Sequence, residues 1–456
     1  MKARSGGSAD PRRAEIVDPA SYTPYFSQRL VGPGRGRTLY CEGVRLERIA
    51  DRVGTPTYVY SRRSMGEAYQ SLDRAFRRLP HKICYAVKAN ANLAVLRLFA
   101  SLGSNFDIVS GGELDRLRRV GVAGDRIVFS GVGKTREEIR QAIRYPNMRG
   151  PGGRNEGILL FNVESEAELG VLLSEAARHV RAGGAPARAA VRVNPDILAG
   201  GHAHISTGYH KHKFGLDWPR ALDLYLAHKD SRSIVWGGIS AHIGSQIVAL
   251  EPFRSTSTRL ASYVRQLAAN GIHLEYVDIG GGVGIRYTNE TPIEPGAYAQ
   301  ALSGSLRPLG CRLLLEPGRM LAGPAGVLLT RVLYTKTNGN KRFVIVDAAM
   351  NDLVRPSMYG ATHAITKASS PQGRPKVERV DVVGPVCESG DFLARNWPLP
   401  AARQGDLLVV WAAGAYGFAL SANYNARRRP AEVLVEGGKF RIIRRRQTYN
   451  DLVRGE

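Results

Sequence analysis

The feature that most constrains the fold is a regular alternation of strand-like and helix-like segments between residues 83 and 315. Eight short apolar runs have the length and composition of buried strands: Ile83–Val87, Phe106–Val109, Ile127–Phe129, Ile158–Phe161, Ala190–Val193, Ile234–His242, Tyr276–Ile279 and Arg312–Leu315. Seven segments with helical spacing of apolar residues separate them: Leu93–Leu102, Gly112–Val120, Arg136–Ile143, Glu166–Arg181, Pro219–His228, Thr256–Ala269 and Pro295–Leu306. Strands that alternate with helices form parallel sheets, and eight such units close into a barrel. The sequence therefore predicts an α/β fold with a (β/α)8 barrel.

A doubly wound sheet is the alternative for such an alternation, but it requires a glycine-rich dinucleotide turn after the first strand, and none is present there. After Gly318 the pattern changes to short β-rich runs between Gly, Pro and polar turns, which predicts a C-terminal all-β domain. Thr38–Leu46 and Thr57–Tyr60 are strand-like and are candidates to join that domain. We expect a leader at 1–28, a segment at 29–56 that contributes to the β domain, the barrel at 57–318 and the β domain at 319–456.

The chain carries 64 Lys and Arg against 40 Asp and Glu, a net charge of +24. The basic residues are scattered and no nucleic-acid-binding motif is present, so an arginine-rich composition is favoured over a nucleic-acid protein. No run of about 18 apolar residues is present, and the first ten residues lack the apolar core of a signal peptide. We expect no membrane association and a cytoplasmic location. The four cysteines are far apart, which argues against zinc ribbons and disulfides.

Chemically active residues follow several predicted strands at their carboxyl ends, the edge where barrels place catalytic groups. Lys88 follows the first strand, Arg192 lies in the fifth, His242 ends the sixth, Gly280–Gly282 follow the seventh and Glu316 follows the eighth. Lys88 by itself could simply extend to solvent; if buried, a lowered pKa would let it form a Schiff base. A lysine, a phosphate-binding glycine turn and an acid for the pyridinium nitrogen are what pyridoxal 5'-phosphate requires.

Ten motifs in order resemble the diaminopimelate decarboxylases, a family of alanine-racemase-like (fold-type III) pyridoxal-phosphate enzymes. The resemblance runs from about Tyr58 to Leu452 and rests on YAVKAN, FDIVSGGEL, FNVES, VNPD with HISTG and KFG, HIGSQ, DIGGG, LEPGR, RPSMYGA, CESGD and GAYG. It implies decarboxylation of meso-2,6-diaminopimelate to L-lysine and CO2, the last step of lysine biosynthesis, in a homodimer with shared active sites.

The resemblance also implies a role for each matching residue. Lys88 forms the Schiff base with pyridoxal 5'-phosphate, and Cys387 donates the proton that replaces the carboxylate. The other implied cofactor contacts are Asp107, Arg192, His242, Ser245, Gly281, Gly282, Glu316, Gly318, Arg319 and Tyr416. The implied substrate contacts are Arg319, Arg355, Tyr359, Glu388 and Tyr416. Cys387 and Glu388 match the pair that completes the site of the neighbouring subunit.

Three alternative interpretations of the sequence remain. Decarboxylases of ornithine, arginine and carboxynorspermidine share the fold and cofactor, but two arginines and a tyrosine suit a distal carboxylate better than a distal amine. A metal site at His202, His204, His210 and His212 is disfavoured because no acidic or cysteine partner has ligand spacing, so we expect no metal. A cofactor carrier or regulatory barrel without enzyme activity is the third alternative.

Overall fold

The computed structural model describes residues 18–21, 23–30, 36–146, 157–197, 213–370, 373 and 375–456. The chain ahead of the barrel forms β1 (Phe26–Leu30), β2 (Arg37–Cys41), β3 (Val44–Arg45), α1 (Leu46–Val53), β4 (Thr57–Ser61) and α2 (Arg62–Phe76). Ser61 caps α2 by accepting a hydrogen bond from the Ser64 N–H. Met65, Leu72 and Phe76 lie on one face of α2 and are buried. This helix packs against the last barrel helix through the ring of Phe76, 5.5 Å from that of Tyr298.

Eight parallel strands form the closed barrel that the alternation predicts, in the order β10-β11-β12-β5-β6-β7-β8-β9. Its elements are β5 (His81–Ala86), α3 (Leu93–Ser101), β6 (Asn105–Ile108), α4 (Gly111–Arg119), β7 (Ile127–Phe129), α5 (Arg136–Ile143), β8 (Leu160–Val163), α6 (Glu166–Arg181), β9 (Ala187–Arg192), α7 (Trp218–Ala227), β10 (Ile234–Ser240), α8 (Glu251–Ala269), β11 (Tyr276–Asp278), α9 (Pro295–Leu306) and β12 (Arg312–Leu315). The α/β barrel is confirmed. Because α2 precedes the first strand and packs on α9, it occupies the place of an eighth outer helix.

Short polar side chains cap the start of several barrel helices. Ser110, Thr135, Ser165 and Asp217 each accept a backbone N–H at the start of the following helix. The capping box of Thr135 and Glu138 fixes the start of α5 in the same way. Ser110 and Ser165 stand in loops of only two residues between a strand and its helix, and these caps therefore fix the ends of β6 and β8 at the rim.

The remaining residues form the mainly β domain. Its elements are α10 (Arg319–Ala322), β13 (Gly326–Asn338), β14 (Lys341–Val346), α11 (Arg355–Tyr359), β15 (Ile365–Lys367), β16 (Ser369–Ser370), β17 (Val377–Val383), β18 (Phe392–Pro400), β19 (Leu407–Val410), β20 (Ala431–Glu436), β21 (Lys439–Arg444) and α12 (Tyr449–Leu452). A nine-stranded sheet follows the path β18-β17-β14-β13-β4-β20-β21, with β15 and β19 beside it, while β1, β2, β3 and β16 form a second sheet.

Strand β4 belongs to this sheet, although the sequence-based division assigned residues from 57 onward to the barrel. It pairs antiparallel with β13 and parallel with β20, so it lies in the middle of the nine-stranded sheet. The N-terminal strand predicted in the β domain is thus confirmed. Strand β18 was not predicted, since Pro398 and Pro400 obscure its pattern. Within the described part of the chain, no helix is both long enough and apolar enough to cross a membrane.

The two domains are joined beside Lys88. The Tyr416 N–H donates to the Ala89 carbonyl at 2.8 Å, and the Asn90 amide donates to the Gly414 carbonyl at 3.2 Å. A Cβ at Gly414 would lie 2.0 Å from the carbonyl oxygen of Ala322, so only glycine allows this close approach. The end of strand β5 and the loop that carries Tyr416 are consequently held together.

Candidate active site

The carboxyl ends of the barrel strands and the β domain together line a cavity of about 660 Å³. The barrel contributes Lys88, His242, Ser245, Gly282, Glu316 and Gly318, and the β domain contributes Arg319, Arg355, Tyr359 and Tyr416. These ten residues are separated by up to 328 positions in the sequence. Each of them was predicted from the sequence to be a site residue. The structure therefore brings most of the predicted site residues together around one cavity.

Lys88 lies in a short 3-10 turn at the end of β5 and directs its ammonium group at a buried acid. Its Nζ is 2.8 Å from Oδ2 of Asp107, which is fully buried, while the lysine side chain remains 35% exposed. Burial by itself would lower the pKa of Lys88, but the carboxylates of Asp107 and Glu316 outweigh it and raise that pKa above its ordinary value. The expected lowered pKa is therefore wrong, because two acids converge on the lysine inside the barrel.

Glu316 belongs to a buried hydrogen-bond network inside the barrel. Its carboxyl group lies within hydrogen-bonding reach of the Asp278 carboxyl group. The Asn162 amide donates to Asp278 at 2.9 Å, and the Ser130 hydroxyl donates to Glu316 at 3.4 Å. Burial and the nearby carboxylates of Asp107 and Asp278 raise the pKa of Glu316 well above its ordinary value. Contacts inside the barrel therefore hold the Glu316 side chain in place, and Glu316 also lines the cavity.

The glycine turn after β11 requires glycine for steric reasons. A Cβ at Gly281 would lie 2.2 Å from the Glu316 carbonyl oxygen, and one at Gly282 would lie 2.4 Å from the Gly244 carbonyl oxygen. Gly282 lines the cavity, whereas the Gly281 N–H donates to Nδ1 of His242 at 3.1 Å. Burial and the charges of Arg192 and Lys88 lower the pKa of His242 well below its usual range, so the imidazole is neutral.

Two buried arginines, Arg319 and Arg355, also line the cavity. Arg319 donates to Ser245 Oγ at 2.8 Å and to the Tyr287 hydroxyl, and its guanidinium lies 4.8 Å from the centre of the Tyr416 ring. Arg355 is 5% exposed, and its guanidinium lies 4.5 Å from the centre of the Tyr287 ring. Neither arginine forms a salt bridge within the described residues, so both are available to an anion in the cavity.

Sequence reasoning gave no role to five residues of the site: Ser130, Asn162, Asp278, Tyr287 and His363. Asn162 and Asp278 stand inside the quoted motifs FNVES and DIGGG, and a polar residue within or at the end of an otherwise buried strand is the signal that could have identified them. Tyr287 and His363 lie in loops, where residue type and spacing give no indication of what the side chain contacts. Their proximity to the arginines depends on the tertiary fold alone.

Five predicted site residues do not line the cavity: Asp107, Arg192, Gly281, Cys387 and Glu388. Asp107 and Gly281 act through Lys88 and His242, as described above. Arg192 pairs with Glu164 at 2.8 Å and lies against Phe214, which lines the cavity. Cys387 and Glu388 are exposed, and Glu388 accepts a hydrogen bond from the Tyr424 hydroxyl. The histidines considered for a metal site lie outside the described residues.

Comparisons with known proteins agree with this geometry. Residues 62–323 match the family "Pyridoxal-dependent decarboxylase, pyridoxal binding domain". The diaminopimelate decarboxylase of Pseudomonas fluorescens is 46% identical over 425 residues, which cover 92% of this chain and 97% of that protein. The solved structure of diaminopimelate decarboxylase from Helicobacter pylori, complexed with L-lysine, is 40% identical with a TM-score of 0.83 and covers 90% of this chain and 98% of that one. The enzyme from M. jannaschi is 34% identical with a TM-score of 0.85, covering 95% and 98%.

A closed barrel whose rim carries a lysine, a glycine turn and a buried glutamate, joined to a β domain, defines the pyridoxal-dependent decarboxylases of fold-type III. Such enzymes use pyridoxal 5'-phosphate to release a carboxyl group from an amino acid. Within this class, the chain belongs to the diaminopimelate decarboxylase family.

The described residues fit pyridoxal phosphate. The Lys88 ammonium reaches the cavity, and Glu316 presents a carboxyl group to it. Nε of Arg319 is buried without a hydrogen-bond partner among the described residues, so it remains available for a bound group. Gly282 brings the backbone close to the cavity where a side chain would collide with Gly244. Together these groups supply an amine, an acid and an anion-binding surface.

Proposed function

We propose that this protein decarboxylates meso-2,6-diaminopimelate to L-lysine and CO2, the last step of lysine biosynthesis, in the cytoplasm. The observation that carries the choice of substrate is the pair of buried guanidinium groups, Arg319 and Arg355, in the cavity that Lys88 also lines. Guanidinium binds a carboxylate through two parallel hydrogen bonds, and diaminopimelate has a carboxylate at its distal end. Ornithine has only an amine there, which two arginines would repel.

Each residue around the cofactor position has a separate role in the proposed reaction. Pyridoxal phosphate supplies the electron sink that accepts the electron pair left by the departing CO2. Lys88 would hold this group through Nζ, and Ser245 and Gly282 would bind its phosphate. Glu316 would keep a proton at the ring nitrogen. His242 would contact the ring, and since its imidazole is neutral it would add no positive charge there.

The distal end of the substrate is bound by the β domain. Arg319 and Arg355 grip the distal carboxylate, and the Tyr359 and Tyr416 hydroxyls add polar contacts at the cavity wall. Holding that end fixes how the reacting end is presented, so that the scissile bond is oriented rather than free to rotate. A donor must then return one proton to the carbon that lost its carboxylate, and Cys387 of the partner subunit is the proposed donor.

The assay that tests this function compares CO2 release from meso-diaminopimelate, ornithine, arginine and carboxynorspermidine by the purified protein loaded with pyridoxal phosphate. We expect release from diaminopimelate alone, or with a kcat/KM at least about 100-fold above the other three, since a mismatched buried charge costs several kcal/mol. A preference for ornithine or arginine would reject the assigned substrate.

Replacing Glu316 by Gln tests the buried acid network. We expect kcat to fall roughly 100-fold, because an amide cannot keep the ring nitrogen protonated, while the cofactor remains bound. Steady-state kinetics and the visible absorbance of the loaded protein measure both effects. Glu175→Gln is the control, since Glu175 is buried beneath Arg136 and Arg140 on the outside of the barrel. Equal losses in the two variants would point to a general effect on folding.

We propose a homodimer in which each subunit completes the site of the other. This accounts for Cys387 and Glu388, which are exposed and do not line the cavity of their own chain. Cys387 is the only exposed cysteine of the four, and its N–H donates to the Asn425 side chain at 3.1 Å, which fixes the backbone that presents the thiol.

Mixing two inactive variants tests the shared site. Lys88→Ala and Cys387→Ala are expected to be nearly inactive alone, but after subunit exchange each mixed dimer contains one intact site. An equal mixture should therefore recover about a quarter of the wild-type activity, since half of the dimers are mixed and each has one of two sites intact. Mixing Lys88→Ala with Glu316→Gln is the control, because both changes lie in the same chain's part of the site. Recovery in that control as well would contradict the shared arrangement.

A further inference from the structure

His363 contacts Arg355, one of the two arginines proposed to bind the substrate, and is completely buried. Its Nδ1 is 2.7 Å from the carbonyl oxygen of Trp411, and its Nε2 is 2.7 Å from Nη1 of Arg355. A carbonyl can only accept and a guanidinium can only donate, so Nδ1 must carry the proton and Nε2 must be bare. Burial, followed by the charge of Arg355, lowers the pKa of His363 to about 3, in keeping with a neutral ring.

Tyr287 provides the second support, from the loop after β11. Its ring meets that of His363 edge-on at 4.9 Å, and Arg355 lies over the ring face at 4.5 Å. Its hydroxyl accepts a hydrogen bond from Nη1 of Arg319. One tyrosine therefore contacts both arginines, and it fixes the spacing between the two guanidinium groups.

The chemical character of these supports is unusual for a buried cation. Buried charges are normally paired with an opposite charge, yet Arg355 has no carboxylate partner among the described residues. Its supports are a bare imidazole nitrogen and an aromatic face, which orient a guanidinium without neutralising it. A carboxylate at either position would hold Arg355 as firmly, but it would compete with an anionic substrate group.

We propose that His363 and Tyr287 are positioning and specificity-determining residues for the distal carboxylate. They hold Arg355 and Arg319 in a fixed geometry with their charges uncompensated, so that the substrate's carboxylate is the anion that completes the pair. This inference rests on the proposed function, since it assumes that the distal group bound by the two arginines is a carboxylate.

The test uses two ligands that differ only in that carboxylate, L-lysine and cadaverine, with the cofactor-loaded protein. His363→Phe keeps the size of the ring but removes the acceptor, and we expect it to weaken L-lysine binding roughly 10- to 100-fold. Cadaverine affinity should change less than about twofold, since it makes no contact with a carboxylate-binding group. The KM for diaminopimelate should rise by the same factor as the L-lysine dissociation constant, with kcat and the visible absorbance nearly unchanged.

Two further variants keep the inference falsifiable. His363→Gln places an amide oxygen near the position of Nε2, and it should recover most of the L-lysine affinity. Tyr287→Phe keeps the ring but removes the contact to Arg319, and a loss of about 3- to 10-fold for L-lysine alone is expected. If His363→Phe does not fold, the L-lysine and cadaverine affinities of His363→Gln and Tyr287→Phe test the proposal instead. Equal weakening of L-lysine and cadaverine, or unchanged L-lysine affinity, would overturn the proposal.

Arg355→Ala, measured in parallel, separates this inference from the proposed function. If that variant does not weaken L-lysine more than cadaverine, the distal carboxylate is bound elsewhere and the proposed substrate contacts fail. If Arg355→Ala discriminates between the two ligands and His363→Phe does not, the substrate contacts stand and only the positioning role of His363 is rejected.

Discussion

Lys88→Ala is expected to lower kcat by at least about 1,000-fold, because no other amine among the cavity-lining residues can hold the cofactor. The visible absorbance of the lysine-bound cofactor should disappear at the same time, and added pyridoxal phosphate should be removable by gel filtration. Stopped assays for CO2 and an absorbance spectrum after desalting measure the two effects. A variant that keeps a normal absorbance band would show that another residue holds the cofactor.

Lys82→Ala is the matched control for this experiment. Lys82 lies in β5, six positions before Lys88, and its ammonium donates to the side chain of Asn105 at the start of β6. We expect its cofactor content and kcat to remain within about twofold of wild type, since an exposed or half-buried polar contact contributes little. Loss of cofactor in both variants would indicate damage to strand β5 rather than loss of the anchoring amine.

Arg355→Ala is expected to raise the KM for diaminopimelate roughly 10- to 100-fold, the equivalent of one charge-assisted hydrogen-bond pair. The absorbance of the bound cofactor should stay normal, since Arg355 belongs to the β-domain side of the cavity and not to the groups around Lys88. Steady-state kinetics on diaminopimelate provide the measurement. An unchanged KM would remove the main reason for assigning a substrate with a distal carboxylate.

Two further variants test how Arg355 binds the carboxylate. Arg355→Lys keeps the positive charge but loses the planar fork, so it should show a KM between those of wild type and the alanine variant. Arg342→Ala removes an arginine of β14 that pairs with Glu378, away from the cavity lining, and it should leave KM unchanged. If the lysine variant matches wild type, simple charge rather than bidentate binding is what the site requires.

The order and type of elements could be predicted because they depend on local sequence. Strands of three to seven residues in the barrel alternate with helices whose apolar residues recur at helical spacing, and this pattern appears within short windows. The same logic placed Lys88, His242 and Glu316 on one rim, since parallel strands end on the same side. Strand β4 shows the limit of this reasoning: its residues are apolar and β-rich, which predicts a strand but not its sheet.

The sequence by itself determined the fold class, the cofactor-binding strand ends and the family, because each depends on residue type at a fixed local position. Only the tertiary structure decided the electrostatics. Asp107 in β6 and Glu316 after β12 both act on Lys88, and together they raise its pKa where burial alone would lower it. Tyr287 and His363 reach the two arginines from separate loops. Such effects depend on distances between groups far apart in the chain, and only the packed barrel and β domain establish those distances.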